Sequence, residues 1–194
     1  INVNKGEVIM EKIILSGKRE LDIYVNPQRQ NLLRCMRIAS IPLTPKGIAD
    51  RIGVSASSVQ HHIRKLLEIG VVELSHTEQV HGITAKYYRA SHKTVQIGVL
   101  GKDGLMEERL ALLQSILSRV FNGFSDYCAK ESLIETGPRQ QGDMLSGVIK
   151  LGKNEAHELY TIVRNFLDEH EHDGKEMESW EYALIAYPVT QANE

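Results

Sequence analysis

Cysteine is scarce in this 194-residue chain: only Cys35 and Cys128 occur, each inside a helical pattern. Two isolated thiols give no disulfide framework. They suit a reducing, cytoplasmic compartment, where both are expected to be small buried hydrophobes. No run of eighteen apolar residues is present, so no membrane span is expected. No basic segment followed by an apolar run opens the chain, so no secretory signal is expected; Met10, behind nine residues that begin at Ile1, is a candidate natural start. Enzyme signatures are missing as well. There is no Gly-rich phosphate loop, no HExxH and no GxSxG. Scattered histidines and two lone cysteines supply no nucleophile–base pair, so no catalytic residue is assigned. Internal repeats and low-complexity tracts are absent.

What is present is an ordinary apolar content, 42%, sufficient for a packed core in one large or two small domains. The net charge of −2 conceals an asymmetry. Residues 1–93 carry 14 Lys and Arg against 8 Asp and Glu, whereas residues 94–194 carry 9 against 17. A basic half joined to an acidic half suits a nucleic-acid-binding domain attached to a module that does not touch nucleic acid.

The most informative stretch is Thr44 to Gly70, TPKGIADRIGVSASSVQHHIRKLLEIG. Ile48, Ala49 and Ile52 share one face of a first helix, capped by Thr44 and opened by Pro45, whose missing amide has no intrahelical partner at that position. Gly53 ends it in the left-handed conformation, and Val54 is expected to turn back into the core. Ser55 starts a second helix with the apolar stripe Val59, Ile63, Leu66 and Leu67, closed by Gly70. A turn this short fits two helices crossing steeply, the helix-turn-helix arrangement. The second helix then offers solvent Ser57, Ser58, Gln60, His61, Arg64 and Lys65, side chains able to bond phosphate oxygens and base edges.

Val71 to Ser75 is β-rich, Glu78 to Gly82 is a polar tip, and Ile83 to Arg89 is β-rich again, which predicts a hairpin directly after the second helix. Together, residues of about 26–90 resemble a bacterial ArsR-type winged-helix regulator. Asn26-Pro27-x-Arg29-x-x-Leu32-Leu33-Arg34 resembles that family's first helix. Ile48-Ala49-x-x-Ile52-Gly53-Val54-Ser55-x-Ser57-Ser58-Val59-x-x-His62-Ile63-x-x-Leu66-x-x-x-Gly70-Val71-Val72 resembles its helix-turn-helix and strand entry. The resemblance covers about a third of the chain. It implies a homodimeric transcriptional regulator on double-stranded DNA, with half-sites about one helical turn, ~34 Å, apart. Ser57, Ser58, Gln60 and His61 are then the candidates for base edges, and Gln60 can pair bidentately with adenine. Ser55 and the amides at the helix start are placed for a phosphate, as are Arg64 and Lys65 farther along. On the wing, His81, Gly82 and Lys86 are candidates for the backbone or minor groove. His62 borders the apolar stripe and is expected to pack.

The expected architecture is α+β. Residues 1–25 form a strand-like extension built on two runs around Ser16-Gly17, residues 26–93 the winged helix-turn-helix domain, and residues 94–194 a small α+β domain for dimerisation and effector sensing. The support helix spans about 26–40, with Leu32, Leu33, Met36 and Ile38 inward and Arg29, Arg34 and Arg37 on a basic outer face. In the C-terminal half the pattern predicts strand 94–100, a long helix from Leu105, strand 144–151, a helix from an Asn154 cap to about His170, and strand 180–187. Along the long helix, Met106, Leu110, Leu113, Leu117, Val120, Phe124 and Tyr127 follow a heptad a/d spacing, with Leu105, Leu112, Ile116 and Phe121 beside it. One stripe faces the domain's own sheet and the other a partner subunit, or both are buried in one chain.

Metal sensing, known among ArsR-like proteins, gets little support. The helix from Pro45 to Ile52 lacks the paired cysteines of one sensing arrangement. Glu155, His157, His170, Glu171 and His172 are the nearest oxygen and nitrogen donors, but His157 and His170 lie ~20 Å apart along one helix. No metal site or cofactor is therefore assigned. An organic effector is the open alternative, since Phe121, Phe124, Tyr127, Tyr160, Phe166, Trp180, Tyr182 and Tyr187 gather in the acidic half and can line either a pocket or simply a core. The competing functional reading is a winged helix used for protein–protein assembly, without an operator.

Overall fold

The computed structural model describes residues 12–39, 41–80, 82–98, 102–132, 142–170 and 178–189. Tertiary contacts divide the chain into two units, residues 1–110 with 151–177, and residues 111–150 with 178–194.

The first unit begins with strand β1 (Lys12–Ile14) and helix α1 (Lys18–Val25). The sequence suggested a second strand-like run where α1 stands. Leu21, Ile23 and Tyr24 are buried, and the i, i+3 pair Leu21 and Tyr24 puts two large side chains on one helical face. Helix α2 (Pro27–Ala39) follows at once. Asn26 caps it by accepting from the backbone N–H groups of Gln28 and Arg29 at 3.1 and 3.2 Å. Leu32, Leu33 and Met36 face inward as expected, but Ile38 is exposed.

Helices α3 (Pro45–Ile52) and α4 (Ala56–Glu68) form the helix-turn-helix. Thr44 Oγ1 accepts from the Gly47 N–H at 3.0 Å, and Ser55 Oγ from the Ser58 N–H at 3.2 Å, so both helix starts are satisfied by side chains. Gly53 sits at φ 71° and returns its N–H to Ala49 O at 2.9 Å. Two expectations fail in detail. Val54 is exposed instead of turning into the core, because Gly53 directs it outward at the apex of the turn; Leu67 is also exposed, lying off the face that buries Val59, Ile63 and Leu66.

Strands β2 (Val72–Val80) and β3 (Ile83–Ala90) pair antiparallel, from Val72 opposite Ala90 to Val80 opposite Ile83, with an irregularity between Leu74 and His76. The wing is thus longer than its sequence suggested, the strand continuing through Glu78 and Gln79 to Val80. Leu43 adds a bridge to Tyr88 and ties the α2–α3 connection to the wing's base. One core runs through Leu32, Leu33, Ile48, Val59, Ile63, Leu66, Val71 and Val72.

Strand β4 (Thr94–Gln96), shorter than the expected 94–100, pairs in parallel with β1. Helix α5 (Met106–Glu131) starts where the sequence placed it. Helix α6 (Lys153–His170) starts before Asn154. Its cap is Gly152, whose N–H bonds Glu155 Oε2 at 2.6 Å, the reaching-back half of a capping box. Along α6, Ala156, Leu159, Val163 and Leu167 are half-buried, while Ile162 and Phe166 are exposed.

The expected strands 144–151 and 180–187 are not strands. Each runs without regular pairing, and Met144, Leu145, Val148, Trp180, Tyr182 and Ile185 are exposed. A strand needs a ladder partner for its N–H and C=O groups, and apolar alternation does not supply one. Gly142 N donates to the Tyr127 hydroxyl at 3.2 Å, and Glu181 pairs with Arg119 at 3.4 Å. Leu112 is buried on α5. No helix among the described residues is long and apolar enough to cross a membrane.

Candidate nucleic-acid interface

The site is built on α4. Its buried line, Val59, Ile63 and Leu66, fixes its rotation, and the 100° step per residue then decides what faces solvent. Ser57, Gln60, His61 and Arg64 are exposed, whereas Ser58 is half-buried on the flank. Ser55 spends one lone pair on the cap, and its hydroxyl lies 3.1 Å from that of Ser57. His61 and His62 meet edge to face at 5.5 Å. His62 packs as expected: its Nε2 lies 2.8 Å from Gln28 Oε1, and its buried Nδ1 has no partner. Burial pushes the His62 pKa down, and the neighbouring Arg29 and His61 charges act in the same direction.

Arg64 and Lys65 differ. Arg64 points outward, but Lys65 Nζ is held 2.9 Å from Glu68 Oε1, and the other Glu68 oxygen takes Arg19 Nη2 at 2.7 Å. These two donors hold the Glu68 carboxyl below its ordinary pKa, Lys65 contributing first and Arg19 second. Glu68 was not singled out in the sequence, although its i, i+3 spacing from Lys65 on one helix is a signal that could have found it. Arg19 carried no such signal, since it lies 49 residues away on a helix that the sequence suggested was a strand.

At the wing, Gly82 is exposed at φ 79° with open space around it, and Lys86 is exposed on β3, opposite Thr77. His81 lies outside the described residues. His76 stacks on Tyr87 at 4.5 Å, and Gln79 Nε2 donates to Thr84 Oγ1 at 2.8 Å. The Tyr87 hydroxyl is held by Glu78, which raises its pKa. Cross-strand pairs of this kind stiffen the outer part of the hairpin, where Leu74 to Val80 are exposed.

On α5, the stripe Met106, Leu110, Leu113, Leu117, Val120 and Phe124 is exposed or half-exposed throughout. The aromatic side chains Phe121, Phe166, Trp180, Tyr182 and Tyr187 are exposed.

Residues 24–75 match a family described as helix-turn-helix domain, a span from the end of α1 through the recognition helix into the first wing strand. No curated protein matches the chain. The chain thus contains a helix-turn-helix domain.

Proposed function

We propose that the protein is a sequence-specific DNA-binding transcriptional regulator that acts as a homodimer. The observation that carries this is the outer face of α4: Ser57, Gln60, His61 and Arg64 stand exposed on a helix whose cap, turn and buried line hold it rigidly against α2 and α3. In the major groove, Gln60 and His61 would meet base edges, with Ser57 and Ser58 beside them, while Arg64 would meet phosphate. The Ser55 end of α4 and the wing, through Gly82 and Lys86, would add backbone contacts. The exposed apolar stripe on α5 supports the dimer, because a second copy of the helix at heptad spacing would cover it. The ArsR-like resemblance supports the same reading. No metal, cofactor or catalytic role is proposed; an organic effector would act by favouring one spacing of the two recognition helices.

The test is selection of bound fragments from a sheared genomic library at two salt concentrations, followed by sequencing. An enriched inverted repeat is expected. No enrichment at either salt, with or without added metabolite extract, would favour a protein–protein assembly module.

A further inference from the structure

Beside the recognition helix lies an open cleft of about 460 Å³ lined by Lys18, Arg19, Asp22, Ile23, Arg29 and Lys65. Four of its six lining residues are cations and one is an acid. Lys18 and Arg19 come from the first turn of α1, Arg29 from the first turn of α2, and Lys65 from the third turn of α4. Three elements separated in sequence therefore converge positive charge on one depression. Nothing in the core requires this, because the ammonium of Lys18 and the guanidinium of Arg19 are exposed.

Position relates the cleft to the proposed DNA face. Ser58, His62 and Lys65, at steps of 4 and 3, run down one flank of α4, next to the exposed line of Ser57, His61 and Arg64. The major groove is about 12 Å wide, so a helix seated in it has a phosphate ridge close along each flank. The cleft occupies one such flank. Arg29 adds a second sign: its Nη1 donates to Ile23 O at 3.3 Å, but its Nε is buried without a partner. Asp22 lines the cleft as its one acid, and Glu68 moderates the cluster further by bonding Lys65 and Arg19 at once.

We infer that this cleft is a phosphate clamp, in which Lys18, Arg19, Arg29 and Lys65 take a backbone phosphate of the DNA strand that flanks α4. The inference rests on the DNA-binding reading above and adds to it the contribution of the first turn of α1, where Lys18 and Arg19 precede the matched helix-turn-helix segment. Glu68 acts as an internal competitor. Its carboxylate occupies two of the four cations until a phosphate displaces it, which keeps non-specific affinity down.

The probe is a labelled 30-base-pair duplex of arbitrary sequence, titrated by fluorescence anisotropy with the full chain at several salt concentrations. Phosphate contacts show in non-specific binding, and each one lost flattens the dependence of log K on log salt by about one unit. Lys18→Ala with Arg19→Ala is expected to weaken binding and flatten the slope by one to two units, on the order of the two contacts removed. Glu68→Gln is expected to do the reverse, tightening binding and steepening the slope by freeing Arg19 and Lys65. Misfolding cannot produce that gain. Binding by the double variant equal to wild type, or a loss in Glu68→Gln, overturns the clamp. Arg64→Ala separates the two claims: if it flattens the slope while the cleft variants do not, DNA binding stands and the clamp falls. A wild type that fails to bind the duplex overturns both. Inorganic phosphate is the other arm. Thermal stabilisation of wild type by phosphate, with DNA binding untouched by the cleft variants, would assign the cleft to a free anion and overturn the DNA assignment.

Discussion

Arg109 grips Asp103 with two parallel hydrogen bonds, Nη1 to Oδ1 and Nη2 to Oδ2, both at 2.5 Å. Its other N–H groups reach main-chain carbonyls: Nε donates to Ile97 O at 2.7 Å and Nη2 to Leu15 O at 3.2 Å. Arg109 is only 1% exposed. One side chain thus ties the residue after β1, the residue after β4 and the start of α5 into a single knot. Asp103 closes it by also accepting from the Leu105 N–H.

A planar fork is what makes this knot possible, so Arg109→Lys is not conservative. Both Arg109→Lys and Arg109→Met are expected to lower the urea midpoint of unfolding. They should also speed hydrogen exchange at Leu15, whose N–H bonds Gln96 O, before exchange changes at Val59 or Ile63. Equal acceleration in α4 would show that the knot is not local.

The Arg109 guanidinium holds the Asp103 carboxyl at about 2, below its ordinary 3.8. A carboxylate with a depressed folded pKa contributes stability that is full above the unfolded value and lost as pH falls through the folded one. Wild type should therefore lose stability between about pH 4 and pH 2. Asp103→Asn should be less stable at pH 7 and show a flatter pH dependence in that window. Chemical denaturation at stepped pH measures both.

Substitutions on the outer face of α4 should separate selectivity from affinity. Gln60→Ala is expected to cost about 1–3 kcal/mol on the preferred site and to relax selection at one base pair. Arg64→Ala should weaken all sequences alike and flatten the salt slope by about one. Competition binding against single-base variants of the selected site distinguishes them.

Removing a helix cap should act on stability alone. Thr44→Ala leaves the Gly47 N–H without its acceptor and is expected to cost about 1 kcal/mol. Ile63→Ala, in the packed line beneath α4, should cost about 2–5 kcal/mol. Thermal melts give both values.

Leu113 sits, half-buried, midway along the partly exposed stripe of α5. If the stripe is the dimer seam, Leu113→Glu should yield folded monomers in sedimentation experiments, with an unchanged helical circular-dichroism signal. Loss of helix together with the dimer would place Leu113 in the core of one chain.

The sequence alone determined the parts held by local chemistry. Thr44 with Pro45, Gly53 and Ser55 set the ends of α3 and α4, because caps and left-handed turns depend on residues within one helical turn of each other. The Val59, Ile63 and Leu66 spacing set the rotation of α4 and hence most of the outer face. The heptad pattern marked α5 and the hairpin marked the wing. Tertiary structure decided what depends on distant partners. Residues 18–25 read as a strand-like run, yet they become a helix once Leu21 and Tyr24 are buried. The segments 144–151 and 180–187 carry strand-like residues but find no ladder. Arg19 reaches Glu68 and Arg109 reaches Leu15 across 49 and 94 residues. No periodicity in the chain records such pairings, because they follow from how helices and strands are stacked.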